Sequence, residues 1–144
     1  MSDGTRAPGP IPIGVHHVAI SVGDLSAMSA WYREVLDFSV EASFRLPGGH
    51  ARGEMLRRSD GIGLELLCHD DSTGSAPADP SAAMRLRGYG HWALAVDDVG
   101  SVHARLTGAG AREVWSPRPA PPPAAGRMSF LADPEGNLLE LVGP

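Results

Sequence analysis

Gly90-His91-Trp92-Ala93-Leu94-Ala95-Val96-Asp97-Asp98 repeats the pattern of an earlier stretch, His16-His17-Val18-Ala19-Ile20-Ser21-Val22-Gly23-Asp24. Aligned on His17 and His91, both run histidine, apolar, Ala, apolar, small, Val, any residue, Asp, at an offset (91 − 17) of 74 residues. Each alternates with period two, as a half-buried strand does. His17, Ala19 and Ser21 share one face opposite Val18, Ile20 and Val22; His91, Ala93 and Ala95 share one face opposite Trp92, Leu94 and Val96. The histidines therefore stand on the faces of small side chains. The repeat extends to the ends of both halves, where Leu64-Glu65-Leu66-Leu67 and Leu139-Glu140-Leu141-Val142 each place one glutamate among leucines.

Working outward from these strands, Val15–Val22 and Tyr89–Val96, each half reads as β-α-β-β-β. Asp24 is placed to cap a helix whose Leu25, Met28, Tyr32, Val35 and Leu36 recur at helical spacing. Asp98 is placed likewise before Val99, Val102, Leu106 and Ala109, with Gly108 and Gly110 ending that helix. Residues 38–46, 50–57 and 62–68 read as three successive strands in the first half. In the second, 111–115, 128–132 and 138–142 do so, with Asp133-Pro134-Glu135-Gly136-Asn137 as a turn. The five prolines within 117–125 read as a semi-rigid loop near the mouth of a cavity, because they lack backbone donors. The expected organisation is a loose arm over 1–12, a first module over 13–69, a linker over 70–88 and a second module over 89–144, in one compact domain. Halves of this size are marginal alone, so a duplicate that buries the faces between them is the economical design.

Composition narrows the function. The chain has 144 residues, a net charge of −5 and one cysteine, and its twelve basic residues are all Arg. The arginines are scattered, so nucleic acid is not an expected partner. Without lysine, neither Schiff-base nor P-loop lysine chemistry is available. Cys68 cannot form an internal disulfide. No charged-then-apolar leader and no apolar run of about 18 residues occurs, so a soluble, cytoplasmic protein with no membrane partner is expected.

A carboxylate flanked by leucines within a strand is costly to bury unless something compensates its charge. If the halves pack about a pseudo-two-fold axis, His17, Glu65, His91 and Glu140 can converge. Two imidazoles and two carboxylates suit one divalent first-row ion (Zn, Ni, Co, Mn or Fe), with two positions open in an octahedral shell. His16 reads as structural; His50, His69 and His103 lack repeat partners and read as solvated or helix-surface residues. Glu54, beside Arg52, is a weaker catalytic candidate, and Arg52, Arg85 and Arg87 are candidates to meet an anionic substrate. Trp31, Trp92 and Trp115 read as core.

The His16–Ile20 strand, the Trp31–Phe38 segment, Gly90–Val96 and Asp133–Glu140 together resemble the vicinal oxygen chelate superfamily, which includes glyoxalase I, methylmalonyl-CoA epimerase, extradiol dioxygenases and fosfomycin and bleomycin resistance proteins. The resemblance runs from Val15 to Val142. It implies an α+β fold of two βαβββ modules forming an open, cup-shaped mixed sheet around a metal. His17, Glu65, His91 and Glu140 match the metal-ligand positions of glyoxalase I and the epimerases, and homodimers are common, some with the site between chains. An ion with two open positions binds neighbouring oxygens of a small substrate and stabilises an enediolate while a glutamate, Glu140 or Glu65, moves the α-proton. A metal-dependent isomerase or lyase is therefore the first expectation. A dioxygenase or resistance transferase of the same fold is the second, although such members resemble a two-His, one-Glu pattern. A metal-free protein that binds a drug or metabolite is the third.

Overall fold

The protein is described by a computed structural model covering residues 9–144. Residues 1–8 of the expected arm lie outside the described residues, and 9–12 are irregular and exposed. In chain order the elements are β1 (Val18–Ser21), α1 (Leu25–Leu36), β2 (Ser39–Arg45), β3 (Ala51–Arg57), β4 (Gly63–His69), α2 (Pro80–Ala83), β5 (Trp92–Ala95), α3 (Val99–Gly108), β6 (Arg112–Pro119), β7 (Arg127–Ala132) and β8 (Leu138–Gly143). They build two four-stranded mixed sheets, ordered β1-β4-β3-β2 and β5-β8-β7-β6. The βαβββ reading of both halves is thus realised. β1 runs parallel to β4 with Ala19 opposite Glu65, and β5 runs parallel to β8 with Ala93 opposite Glu140.

The helices form where their caps and apolar spacing direct. Asp24 accepts from the Ala27 N–H and Asp98 from the Ser101 N–H, each satisfying a donor left free in the first turn. α1 ends at Asp37, whose φ of 57° puts it in the left-handed region that stops a helix. Val22, Met28, Tyr32, Leu56, Leu64 and Leu66 of the first half join Val99, Leu106, Leu131, Leu139 and Leu141 of the second in one buried cluster. The two halves therefore share their main core.

Polar contacts fix how the halves meet. Trp31 Nε1 donates to the Ala109 carbonyl at 2.8 Å. The turn after β7 reaches back across the molecule: the Glu135 carboxylate accepts from the N–H groups of Gly23 and Asp24 at the entrance to α1. The buried Tyr32 hydroxyl donates to Asp133 Oδ2 at 2.8 Å. Burial, and then the negative charge of Asp133, hold the Tyr32 phenol well above its ordinary 10.0. A raised folded-state value favours the neutral phenol, so the stability it contributes is complete below pH 10.0 and is lost as pH rises beyond it. Tyr32→Phe is expected to be less stable by about 1–2 kcal/mol at neutral pH. It should also decline less steeply above pH 10.0, which denaturant titrations across that range measure.

Four local expectations are corrected. β1 and β5 are shorter than 15–22 and 89–96, beginning one residue after His17 and His91, because parallel pairing starts at Val18–Leu64 and Trp92–Leu139. Pro117 and Pro119 lie inside β6 and not in a loop; β6 is an edge strand with irregular register, where a missing donor disrupts no neighbour. The stretch 70–88 contains the four-residue helix α2, capped by Asp79. His103 is buried, at 5% exposure, and its Nε2 meets Glu113 at 2.6 Å. Trp31 is core as expected, while Trp92 and Trp115 are half-buried. No helix among the described residues is long and apolar enough to cross a membrane.

Candidate metal centre

Away from the irregular pairings of β2 and β6, alternation sorts the side chains of the two sheets. Leu56, Leu64 and Leu66 face α1 and are fully buried. Their neighbours Met55, Glu65 and Leu67 face the other way, together with Ala19 and Ser21, and this second face is open. In the second half Ala93, Ala95, Glu140 and Val142 share the corresponding face.

On each open face an imidazole and a carboxylate meet. His17 Nε2 lies 3.3 Å from Glu65 Oε2, and His91 Nε2 lies 3.0 Å from Glu140 Oε2. The carboxylate side chains are 20% and 17% exposed, so both are half-withdrawn from water with an imidazole as their polar neighbour. In each case the histidine precedes by two residues the alanine that lies opposite the glutamate, so the duplicated spacing yields duplicated geometry. Two donors at right angles on one ion, with bonds of about 2.1 Å, stand about 3.0 Å apart. The spacing and the nitrogen-plus-oxygen chemistry of both pairs fit adjacent ligands of a divalent first-row ion.

The four residues come together two by two and not as four. Among the described residues, no group of three or more His, Cys, Asp or Glu side chains is placed to hold an ion. A cleft of about 510 Å³ beside β5 is lined by His16, Val18, Phe38, Trp92 and Leu94, among others. Another of about 520 Å³ lies between the start of α1 and β2–β3. None of the four residues lines either cleft. A single chain thus presents two separate His–Glu pairs on open sheet faces.

The remaining candidates stand elsewhere. Glu54 points to the α1 side of β3 and accepts from the Ser29 hydroxyl at 2.5 Å, away from both pairs. Arg52 is exposed near Asp70, and Arg85 and Arg87 are exposed before β5. His50 and His69 are exposed at the far end of β3–β4.

Two contributors were missed in the sequence. Arg57 stands on the open face, two residues beyond Met55, and donates to the His16 carbonyl at 2.8 Å while pairing with Glu41 at 3.0 Å. Its period-two spacing from Met55 was the available signal. Gly63 is the second: a Cβ there would collide with the His16 carbonyl oxygen and would lie 3.0 Å from the His17 Cβ. Only glycine lets the segment carrying His17 lie this close to β4.

Comparisons with known proteins agree with this architecture. The Glyoxalase/Bleomycin resistance protein/Dioxygenase superfamily matches residues 14–141. A glyoxalase family protein from Enterococcus faecalis superposes with a TM-score of 0.75 at 27% identity, over 90% of this chain and 96% of that one. The trypanothione-dependent glyoxalase I of Leishmania major gives 0.67 at 25% identity, over 92% and 87%. Glyoxalase I from Zea mays gives 0.68 at 21% identity, and this chain spans only 44% of its length while 90% of this chain is covered. No curated protein matches the chain. With nearly all of the sequence between β1 and β8 matched and both βαβββ units in place, the chain belongs to the Glyoxalase/Bleomycin resistance protein/Dioxygenase superfamily.

Proposed function

We propose that the protein is a divalent-metal-dependent isomerase or lyase of glyoxalase or epimerase type, acting on a small substrate with vicinal oxygens. It works as a homodimer in which His17 and Glu65 of one copy and His91 and Glu140 of the other share each ion. The observation that carries this reading is the pair of His–Glu contacts at 3.3 and 3.0 Å, each with the spacing of adjacent ligands and each incomplete by two. An isologous dimer supplies the missing halves twice, because whatever one copy offers its partner it also receives.

When bound, a divalent ion supplies Lewis-acid stabilisation of negative charge on two neighbouring substrate oxygens. His17 and His91 would hold it through Nε2, and the two carboxylates would balance its charge. The small side chains of Ala19, Ser21, Ala93 and Ala95 leave room above the sheets for substrate. Glu140 is assigned the proton transfer, because the buried Phe130 lies opposite it on β7 and its carboxylate is the less exposed of the two, at 17% against 20% for Glu65. It takes the proton from the carbon beside a carbonyl and returns it to an adjacent position. Glu65, between Ala19 and Met55, is the second candidate for this role.

Metal analysis of protein purified without added ions is expected to find about one first-row ion per chain. In deuterated water, α-hydroxycarbonyl or α-ketohemithioacetal substrates should exchange their α-proton. Absence of any stoichiometric divalent ion would overturn the metal chemistry and leave a ligand-binding protein. Oxygen consumption without α-proton exchange would overturn the isomerase reading in favour of an oxygenase.

A further inference from the structure

The two half-sites differ on the side of the histidine that faces away from its glutamate. His17 Nδ1 lies 2.8 Å from His16 Nδ1, with the rings edge-on at 82° and their centroids 5.1 Å apart. At the equivalent place in the second half stands Gly90, and His91 instead packs edge-on against Phe130 at 5.0 Å. The backbone of His16 is held at two points: Arg57 binds its carbonyl, and the same carbonyl lies against Gly63.

Two bare lone pairs do not sit 2.8 Å apart, so one proton lies between the two Nδ1 atoms. For His17 to offer its Nε2 lone pair to a cation, its own proton must be on Nδ1. His16 must then accept that proton's hydrogen bond with a bare Nδ1 and carry its own proton on Nε2, where it is exposed to water. We infer that His16 is a positioning residue: it accepts a hydrogen bond from His17 Nδ1–H and so fixes the ring and tautomer that present Nε2 toward the Glu65 side. Among the described residues His91 has no such partner, so the first half-site is the better prepared of the two. Histidine ligands generally need a hydrogen-bond acceptor on their other nitrogen, and its removal typically weakens metal affinity about 10–100-fold. This inference rests on the proposed metal site and adds a residue to it that is not itself a ligand.

The test uses full-length wild type, His16→Gly (which copies Gly90) and His16→Asn, with Zn²⁺ as the probe in competition with a chromophoric chelator. Because His16 is exposed, all three are expected to fold alike, which circular dichroism checks. His16→Gly should bind Zn²⁺ about tenfold or more weakly. His16→Asn, whose amide oxygen also accepts, should recover most of that loss. In the Zn²⁺-loaded wild type, ¹H–¹⁵N correlation of the imidazoles should show His17 protonated at Nδ1 and His16 at Nε2. Unchanged affinity in His16→Gly, or spectra showing His16 itself bound to Zn²⁺, would overturn this role while leaving the proposed function in place. A wild type that binds none of Zn²⁺, Ni²⁺, Co²⁺, Mn²⁺ or Fe²⁺ would overturn both.

Discussion

Glu140→Gln is expected to lower kcat/KM for α-proton transfer by about 10²–10⁴-fold, the range lost when a positioned base is removed. The amide matches the carboxylate in size and stays within β8, whose ladder to β7 is made by backbone groups, so the fold should persist. The substitution removes both a proton acceptor and one negative charge beside the proposed ion. Measuring zinc content beside rate separates these effects. A variant that refills with excess Zn²⁺ yet remains slow has lost the base, whereas one that regains its rate has lost only affinity. Glu65→Gln is the companion experiment. If it is the slower of the two when both are fully loaded with ion, the base is Glu65 and the assignment to Glu140 is wrong.

Asp133→Ala is expected to cost about 3 kcal/mol or more of folding stability, since each buried donor left unpaired costs about 1–3 kcal/mol. Asp133 is 2% exposed. Its carboxylate accepts from the Tyr32 hydroxyl, the backbone N–H groups of Glu135 and Asn137, and the Asn137 side-chain amide. Alanine would strand the Tyr32 hydroxyl within the core shared by both halves. It would also loosen the turn that carries Glu135 to the start of α1. The loss should appear as a lower urea midpoint with an unchanged slope. A loss below about 1 kcal/mol would show that this junction contributes no more than an ordinary hydrogen bond.

The architecture was legible because it is written twice. The same His-x-Ala-x-small-Val-x-Asp string encodes a strand and the cap of the helix after it, and both Asp24 and Asp98 serve as those caps. What was not legible depends on contacts between distant segments. Asp133 looks like any turn-forming aspartate, since its surface-type sequence context says nothing of the Tyr32 hydroxyl 101 positions away. His103 lies four residues after Val99 and three before Leu106, so helical spacing does put it on the buried stripe. Its polar residue type masks that, because the partner that satisfies it, Glu113, lies on another element ten residues on. Pro117 and Pro119 exclude a central strand but not an edge strand, and which strand lies at the edge follows only from the order β5-β8-β7-β6. Among the candidate site residues, the pairing of each histidine with its glutamate follows from the repeat. How the two pairs would share the proposed ion does not, because in the dimer reading that depends on the surface of a second copy.

Mixing two inactive double variants tests that sharing directly: His17→Ala/Glu65→Gln with His91→Ala/Glu140→Gln, unfolded together and refolded. Each alone should bind no ion at the site. In a mixed dimer one site combines all four substitutions and the other has all four native residues, so random pairing should restore roughly a quarter of the wild-type Zn²⁺ sites and activity. If the mixture refolds to dimers with no recovered site, the two His–Glu pairs do not meet across two copies, and the shared centre is wrong.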